Sequence, residues 1–317
     1  MAAHYLEFER PIADLEAKIE ELSKLSGGGA AGALDGEIEA LRARAAQLRR
    51  EAYANLDAWQ KTQVARHPDR PHFVDFAATL FEGFEELRGD RSFGDDQAIL
   101  GGIARFRGRA VVVMGHEKGR DTATRIKHNF GYARPEGYRK AVRLFELAEQ
   151  FRLPVISFVD TTAAYPGIAS EERGVAEAIA RSTEKALMLA VPMVAVVTGE
   201  GGSGGALGIA CGNRVLILEH AIYSVIPPEG ANSILWRGAR TPGEAARAMK
   251  ITAKDLLGMK IVDAIIPEPA GGAHADPEAA MALVGDAVEA ELKALDGLSV
   301  AELKARRAER FYAIGRG

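Results

Sequence analysis

The stretch that decides the fold is residues 193–208, with the sequence MVAVVTGEGGSGGALG. Its first five residues are all apolar, which is typical of a β-strand covered on both faces. A glycine-rich segment follows directly, and residues 206–210 are rich in small side chains that can begin a helix. The stretch therefore predicts a buried strand, a sharp glycine turn and a helix, in that order.

Three interpretations of the glycine turn compete. A nucleotide-binding P-loop is disfavoured because no Gly-Lys-Ser/Thr sequence follows. A purely structural turn is the default for a lone pair of glycines. Five glycines within residues 199–205 favour a loop that holds a ligand or an oxyanion, because N–H groups at a helix start point outward and carry partial positive charge.

Ser203 also raises the possibility of a nucleophile, since Gly-Gly-Ser-Gly-Gly contains the G-x-S-x-G pattern. A serine hydrolase would need a histidine downstream, and His220 and His274 are the only candidates there. Neither histidine has a sequence context typical of a catalytic triad, so the sequence disfavours this alternative.

Two further segments follow predicted strands. Residues 160–167 (DTTAAYPG) come after the apolar run 155–159 and emerge at the end of the sheet where α/β proteins bind ligands; a capped turn explains them equally well. Residues 118–131 carry Lys118, Arg120, Arg125, Lys127 and His128. This cationic run could hold phosphate or a carboxylate, seat a partner, or form a solvated face.

The rest of the chain alternates strands and helices, which predicts a βαβ-built sheet with helices on its faces. The predicted strands are 98–106, 109–116, 155–159, 193–197, 214–218, 222–225 and 261–266. The predicted helices include 135–151, a helix that begins near Val175, and two C-terminal helices that begin at Asp276-Pro277 and at the Ser299/Glu302 capping box.

The first 50 residues predict a helical hairpin, because apolar residues recur at helical spacing before and after a glycine-rich break at 26–32. This hairpin either packs on its own domain or binds a partner.

Composition restricts the class of protein. The chain has 317 residues, 47% hydrophobic and 26% charged, with a formal net charge of −4. Nothing in that balance predicts binding to nucleic acid or to an anionic membrane. Cys211 is the only cysteine, so an internal disulfide and a cysteine-based zinc site are excluded. Without a signal-peptide pattern or an apolar run of about 20 residues, we expect a cytoplasmic protein.

Taken together, the motifs resemble the alpha subunit of bacterial acetyl-CoA carboxylase carboxyltransferase along essentially the whole chain. The matching segments are 115–122 (GHEKGRDT), 129–131 (NFG), 135–141 (PEGYRKA), 160–161 (DT), 164–167 (AYPG), 171–174 (EERG), 199–207 (GEGGSGGAL), 223–225 (YSV), 228–230 (PEG), 233–236 (SILW), 265–269 (IIPEP) and 271–274 (GGAH).

The resemblance implies an α/β fold: a crotonase (ClpP-like) core of stacked ββα units in residues 71–317, with C-terminal helices, after a helical extension in residues 1–70. It also implies a zinc-ribbon beta subunit in an α2β2 heterotetramer, a biotin carboxyl carrier protein that delivers carboxybiotin, and biotin carboxylase in the wider complex. Acetyl-CoA and malonyl-CoA would be substrate and product, and no metal is expected in this chain.

The implied reaction moves the carboxyl group of N-carboxybiotin to the methyl carbon of acetyl-CoA, the first committed step of fatty acid biosynthesis. Negative charge develops on the ureido oxygen, and we expect the backbone N–H groups of Gly204 and Gly205 to stabilise it. The released ureido nitrogen can take the methyl proton, so no side-chain base is needed. The other expected substrate-binding residues are Gly201, Gly202, Ser203, Ala206, Thr161, Ala164, Tyr165, Pro166, Gly167 and Arg120.

Two positions depart from the family pattern. Thr162 and Ala163 stand where the family has Pro-Gly, which changes the backbone angles open to that loop. Pro227 stands where serine is common and removes a backbone donor.

Two other classes of function remain open. A stand-alone crotonase-type hydratase or hydrolase would use Glu200 or Glu229 as a base. A scaffolding subunit would use the glycine turn only structurally.

Overall fold

The computed structural model describes residues 4–26 and 34–316, so residues 27–32 of the predicted glycine break lie outside the described residues. The α-helices are α1 (Arg10–Ser26), α2 (Asp35–Ala54), α3 (Ala58–Ala65), α4 (Phe73–Leu80), α5 (Thr122–Lys127), α6 (Pro135–Phe151), α7 (Ile168–Glu172), α8 (Val175–Leu187), α9 (Ser203–Ala210), α10 (Pro228–Trp236), α11 (Pro242–Met249), α12 (Ala253–Gly258), α13 (Pro277–Leu295) and α14 (Val300–Ala313). The strands are β1 (Phe81–Glu86), β2 (Ile99–Phe106), β3 (Arg109–His116), β4 (Val155–Thr161), β5 (Met193–Gly202), β6 (Arg214–Leu218), β7 (Ile222–Ser224) and β8 (Ala264–Ile266).

The eight strands of the described residues belong to one sheet, in the order β1-β2-β3-β4-β5-β6-β8, with β7 paired to β5. The pairings of β1 with β2 and of β2 with β3 are antiparallel. From β3 onward every pairing is parallel. The predicted α/β class is therefore confirmed, and the carboxyl ends of β3, β4 and β5 lie along the same edge of the sheet.

The central strand β4 is covered on both faces, as its apolar run predicts. The Ser157 hydroxyl donates to the Ile209 carbonyl of α9 at 2.6 Å. The next residue, Phe158, faces the other way and stacks on Phe76 of α4 with ring centroids 5.0 Å apart. Alternation along the strand thus buries both sides, which fixes β4 between α4 and α9.

Helix ends agree closely with the sequence predictions, because capping is a local signal. Helix α6 spans Pro135–Phe151 as predicted, with proline in its first turn. Asp276 caps α13 by accepting from the Ala279 amide at 3.0 Å, and Ser299 with Glu302 forms the predicted capping box of α14.

Three strand predictions needed correction or were missing. Strand β5 continues five residues past Val197 to Gly202, because Glu200, Gly201 and Gly202 pair with β7. Strand β8 begins only at Ala264, since the Ile261 amide bonds back to Leu256 at the end of α12. The edge strand β1 was not predicted; four of its six residues are charged or glycine, with the sequence FEGFEE.

The N-terminal hairpin packs against the sheet domain through Tyr53 of α2, whose ring lies beside the rings of His220 and His274. Tyr53 of α2 donates to Glu9 at 2.8 Å, and Arg70 forms an ion pair with Glu268 in which both side chains are almost fully buried. Among the helices of the described residues, none combines the length and the apolar content needed to cross a bilayer.

Candidate active site

The predicted glycine turn joins the end of β5 to the start of α9. Ser203, the first residue of α9, has φ of 57°, in the left-handed region that non-glycine residues seldom adopt. No side chain of the described residues caps α9, and the amides of Gly204 and Gly205 lie in its first turn, where an N–H group has no carbonyl partner within the helix. The N–H groups of Gly204 and Gly205 are therefore placed as a helix start places donors for an oxyanion.

The turn needs glycine where it meets the loop after β4. A Cβ added to Gly202 would lie 1.8 Å from the Thr162 carbonyl oxygen, and one added to Gly205 would lie 2.5 Å from the Ala164 nitrogen. Gly201 is equally restricted, by the ring of Tyr223 at 2.8 Å. The turn and the loop are thus in direct backbone contact.

An apolar cavity of about 290 Å³ opens beside the first residues of α9. Ser203 and Gly204 form part of its wall, so an amide-bearing segment borders an otherwise apolar space. The rest of its lining comes from β6, β7, α9, α12 and the C-terminal helix, through Leu207, Ala210, Val215, Tyr223, Ser224, Val225, Leu256, Ile261, Arg310, Phe311 and Ile314. The glycine motif gives no signal for most of these residues, since they are distant in sequence.

The loop after β4 is held largely by internal contacts. The buried Thr161 hydroxyl lies 2.7 Å from the Gly131 carbonyl and 2.8 Å from the Ala163 carbonyl. The Tyr165 amide donates to Ala133 at 2.9 Å, and the Arg134 guanidinium lies 4.9 Å from the centre of its ring. The Thr161 side chain therefore positions the loop, while Ala164, Tyr165 and Gly167 remain partly accessible and Pro166 is exposed.

The cationic run divides between paired and unpaired side chains. Lys118 forms an ion pair with Asp160 at 2.6 Å. The half-exposed Arg120 pairs with Asp75 and does not line the apolar cavity beside α9. His128 bonds the Gln97 carbonyl at 2.6 Å. Arg125 and Lys127 form no ion pair with any described residue.

Lys118 and Arg125 line a second cavity, of about 230 Å³, together with Arg66, Arg70 and Asp160. Arg66 pairs with Glu200 and Glu229, so most of the positive charge around this cavity is neutralised within the chain.

The two candidate bases are both engaged by Arg66. Its Nη2 atom lies 2.7 Å from Glu200 Oε1, and its Nη1 atom lies 2.7 Å from Glu229 Oε1. Burial alone would raise the pKa of the Glu229 carboxyl, but the hydrogen bond from Arg66 lowers that pKa below its ordinary value. Neither carboxylate is placed as a free base, which disfavours the hydratase alternative.

The two histidines that could serve a serine hydrolase, His220 and His274, lie against the N-terminal segment. His220 and His274 both pack on Tyr53, with ring centroids 5.5 and 6.4 Å away. Burial lowers the pKa of His274 to about 3. No histidine lines the cavity beside Ser203, so the described residues assemble no Ser-His pair at the turn.

One cluster within residues 4–26 and 34–316 has the composition of a metal site: Glu9, His67 and His274, with ligand atoms within 4.8 Å of one another. Both ring nitrogens of His67 are already bonded, Nε2 to the His4 carbonyl at 2.9 Å and Nδ1 to the Asp69 amide at 3.2 Å. Glu9 also accepts hydrogen bonds from the Tyr53 hydroxyl and the Leu6 amide, so fewer free donors remain than the three or four protein ligands of a zinc site.

Two solved structures share this fold. The 12S subunit of transcarboxylase, with methylmalonyl-coenzyme A and methylmalonic acid bound, matches with a TM-score of 0.56 at 18% identity, over 71% of this chain and 42% of that one. A Pseudomonas malonate decarboxylase hetero-tetramer in complex with coenzyme A matches with a TM-score of 0.56 at 16% identity, over 70% of this chain and 89% of that one. These likenesses show the crotonase-like fold.

Sequence comparison identifies the family. Residues 5–315 match the model described as acetyl co-enzyme A carboxylase carboxyltransferase-like. An acetyl-coenzyme A carboxylase carboxyl transferase subunit alpha from Phenylobacterium zucineum is 80% identical over 100% of this chain and 99% of its own length, and one from Caulobacter vibrioides is 69% identical over the same shares. The chain therefore belongs to the acetyl-CoA carboxylase carboxyltransferase-like family.

Proposed function

We propose that this chain is the alpha half of the carboxyltransferase of an acetyl-CoA carboxylase, which makes malonyl-CoA from acetyl-CoA and carboxybiotin. The observation that carries the proposal is the start of α9, where Ser203 and Gly204 line an apolar cavity and the first-turn amides of Gly204 and Gly205 have no partner within the helix. A polar, partly anionic head on an apolar body fits that arrangement, and biotin has this chemistry.

The contribution of the chain is positional and electrostatic. Gly204 and Gly205 direct their N–H groups toward the position of the ureido oxygen, where negative charge develops during transfer. Carboxybiotin supplies the carboxyl group and, on its release, the nitrogen that takes the methyl proton. Removing one such donor typically raises the barrier by about 3 kcal/mol.

Other predicted substrate contacts take supporting roles in this proposal. Ser203 borders the cavity. Gly201, Gly202 and Ala206 are buried and keep the turn compact, and Thr161 fixes the loop. Residues 164–167 form the accessible edge of the biotin site. Arg120 contacts the substrate at the periphery of that site once the partner is bound.

The partners follow from the same proposal. The relatives are named as alpha subunits, and the malonate decarboxylase neighbour is a hetero-tetramer. We propose a zinc-ribbon beta subunit in an α2β2 assembly, a biotin carboxyl carrier protein as donor, biotin carboxylase in the wider complex, and a cytoplasmic location. We also propose that residues 1–70 form an extension of a carboxyltransferase domain in residues 71–317, supported by the α1–α2 hairpin that precedes the sheet.

The test is the reverse reaction. The chain, purified alone and with its beta subunit, is assayed for decarboxylation of malonyl-CoA in the presence of biocytin. We expect biotin-dependent turnover only from the complex, because in this proposal the beta subunit holds most of the acetyl-CoA site. Turnover by the chain alone would support a stand-alone enzyme instead, and a complex that assembles without turnover would support a scaffold.

A further inference from the structure

The Thr162 side chain makes a single hydrogen bond among the described residues, and it is to a buried carboxylate. Its hydroxyl donates to Glu200 Oε2 at 2.9 Å. Glu200 is 2% exposed, and Arg66 holds the same carboxylate through Nε at 3.1 Å and Nη2 at 2.7 Å. A hydroxyl bonded to an ionised acceptor forms a stronger hydrogen bond than one bonded to a neutral group.

The backbone of the same residue lies against the glycine turn. The Thr162 carbonyl oxygen occupies the space that a side chain at Gly202 would need, and Ala163 and Ala164 do the same for Gly205. Any lateral movement of residues 162–164 would therefore change the space beside the first-turn amides of α9.

The rest of the loop is anchored on either side of Thr162. Thr161 is paired with Gly201 in the sheet, and the Tyr165 amide is bonded to Ala133. Between these two points, the Thr161 hydroxyl reaches Ala163, and Thr162 is held by Glu200.

The carboxylate that holds Thr162 is itself fixed. Arg66 bonds Glu229 at the start of α10 as well as Glu200, and the Glu200 amide bonds the buried Asp160 at 2.9 Å. The tether at Thr162 therefore ends on a group that cannot rotate away without breaking several charged contacts.

We propose that Thr162 is a positioning residue for carboxyl transfer: its hydroxyl, through Glu200 and Arg66, fixes residues 162–164 against the glycine turn and so sets the space in which biotin binds. This inference rests on the proposed function. The proposal also explains why a threonine suits this position: its hydroxyl bonds Glu200 and so restrains the loop through a side chain.

The test compares Thr162→Val, which keeps the shape but removes the hydroxyl, with Thr162→Ser, which keeps the hydroxyl. Both variants are assayed as the assembled complex for carboxyl transfer from malonyl-CoA to biocytin. For Thr162→Val we expect kcat/KM for biocytin to fall about tenfold, the change that the loss of one hydrogen bond to a charged group brings, with KM for malonyl-CoA unchanged. Thr162→Ser should restore the rate.

Hydrogen exchange of the amides in residues 162–165 provides a second measurement that needs no turnover. We expect these amides to exchange faster in Thr162→Val than in Thr162→Ser and in the unsubstituted complex. Equal exchange in all three, or a serine variant as impaired as the valine variant, would overturn the inference. An unsubstituted complex without transfer activity would count against the proposed function alone, because the exchange measurement would still decide the role of Thr162.

Discussion

Gly205→Ala is expected to lower carboxyl transfer about 100-fold or more, the scale of effect that a shift of about 1 Å in a reacting geometry produces. The added Cβ would lie 2.5 Å from the Ala164 nitrogen and 2.7 Å from the Ala163 carbonyl carbon. These are backbone atoms, so the loop and the turn must separate to make room. The measurement is kcat for malonyl-CoA-to-biocytin transfer by the purified complex.

The neighbouring glycine provides a matched control. A Cβ at Gly204 would have Ile179 Cγ2 as its nearest atom, at 3.4 Å, which is an ordinary contact. Gly204→Ala keeps the backbone N–H and should retain most of the activity. A Gly205→Ala complex that turns over at the rate of Gly204→Ala would show that contact between turn and loop does not matter for transfer.

Glu268→Gln is expected to reduce the free energy of unfolding by about 3–5 kcal/mol, the cost of leaving a buried charge without its partner. Arg70 Nη1 and Nη2 lie 2.8 and 2.9 Å from the two carboxylate oxygens. Arg70 also donates to the Thr198 carbonyl in β5 at 2.7 Å, so the pair joins the segment after α3 to the strand that carries the glycine turn. Urea unfolding measures the change, and Glu20→Gln, which breaks the exposed pair with Lys24, should leave stability unchanged.

The same carboxylate predicts a dependence on pH. Burial acts to raise the pKa of Glu268, but Arg70 outweighs it and holds that pKa at about 2. Because the folded pKa lies below the unfolded one, this contribution to stability is complete above about pH 4.5 and is lost as pH falls toward 2. The unsubstituted protein should therefore lose stability more steeply across that range than Glu268→Gln; parallel curves would contradict the assignment.

Local signals in the sequence predicted much of the fold. Apolar runs predicted the central strands, and capping residues predicted the starts of α13 and α14. The glycine turn was located from its composition, and its first-turn amides follow from its place at a helix start. Strand β1 was missed because an edge strand in which three of six residues are glutamate lacks the apolar run of a buried strand.

The surroundings of the site could not be predicted, because they come from distant parts of the chain. Arg66 and Glu200 form an ion pair although they are 134 residues apart in the sequence. Phe311, from the last helix, lines the cavity beside Gly204. The sequence also could not show which cations of residues 118–131 form ion pairs. Lys118 is neutralised by Asp160 only because β3 and β4 are neighbours in the sheet.

Replacing the backbone amide of Gly204 with an ester tests the central claim most directly, because it removes one N–H donor and leaves the side chains unchanged. The assembled complex carrying this ester should transfer carboxyl groups about 100- to 1,000-fold more slowly, as expected for the loss of one oxyanion donor. Transfer within about threefold of the unsubstituted rate would contradict the account, since such a small change is under 1 kcal/mol.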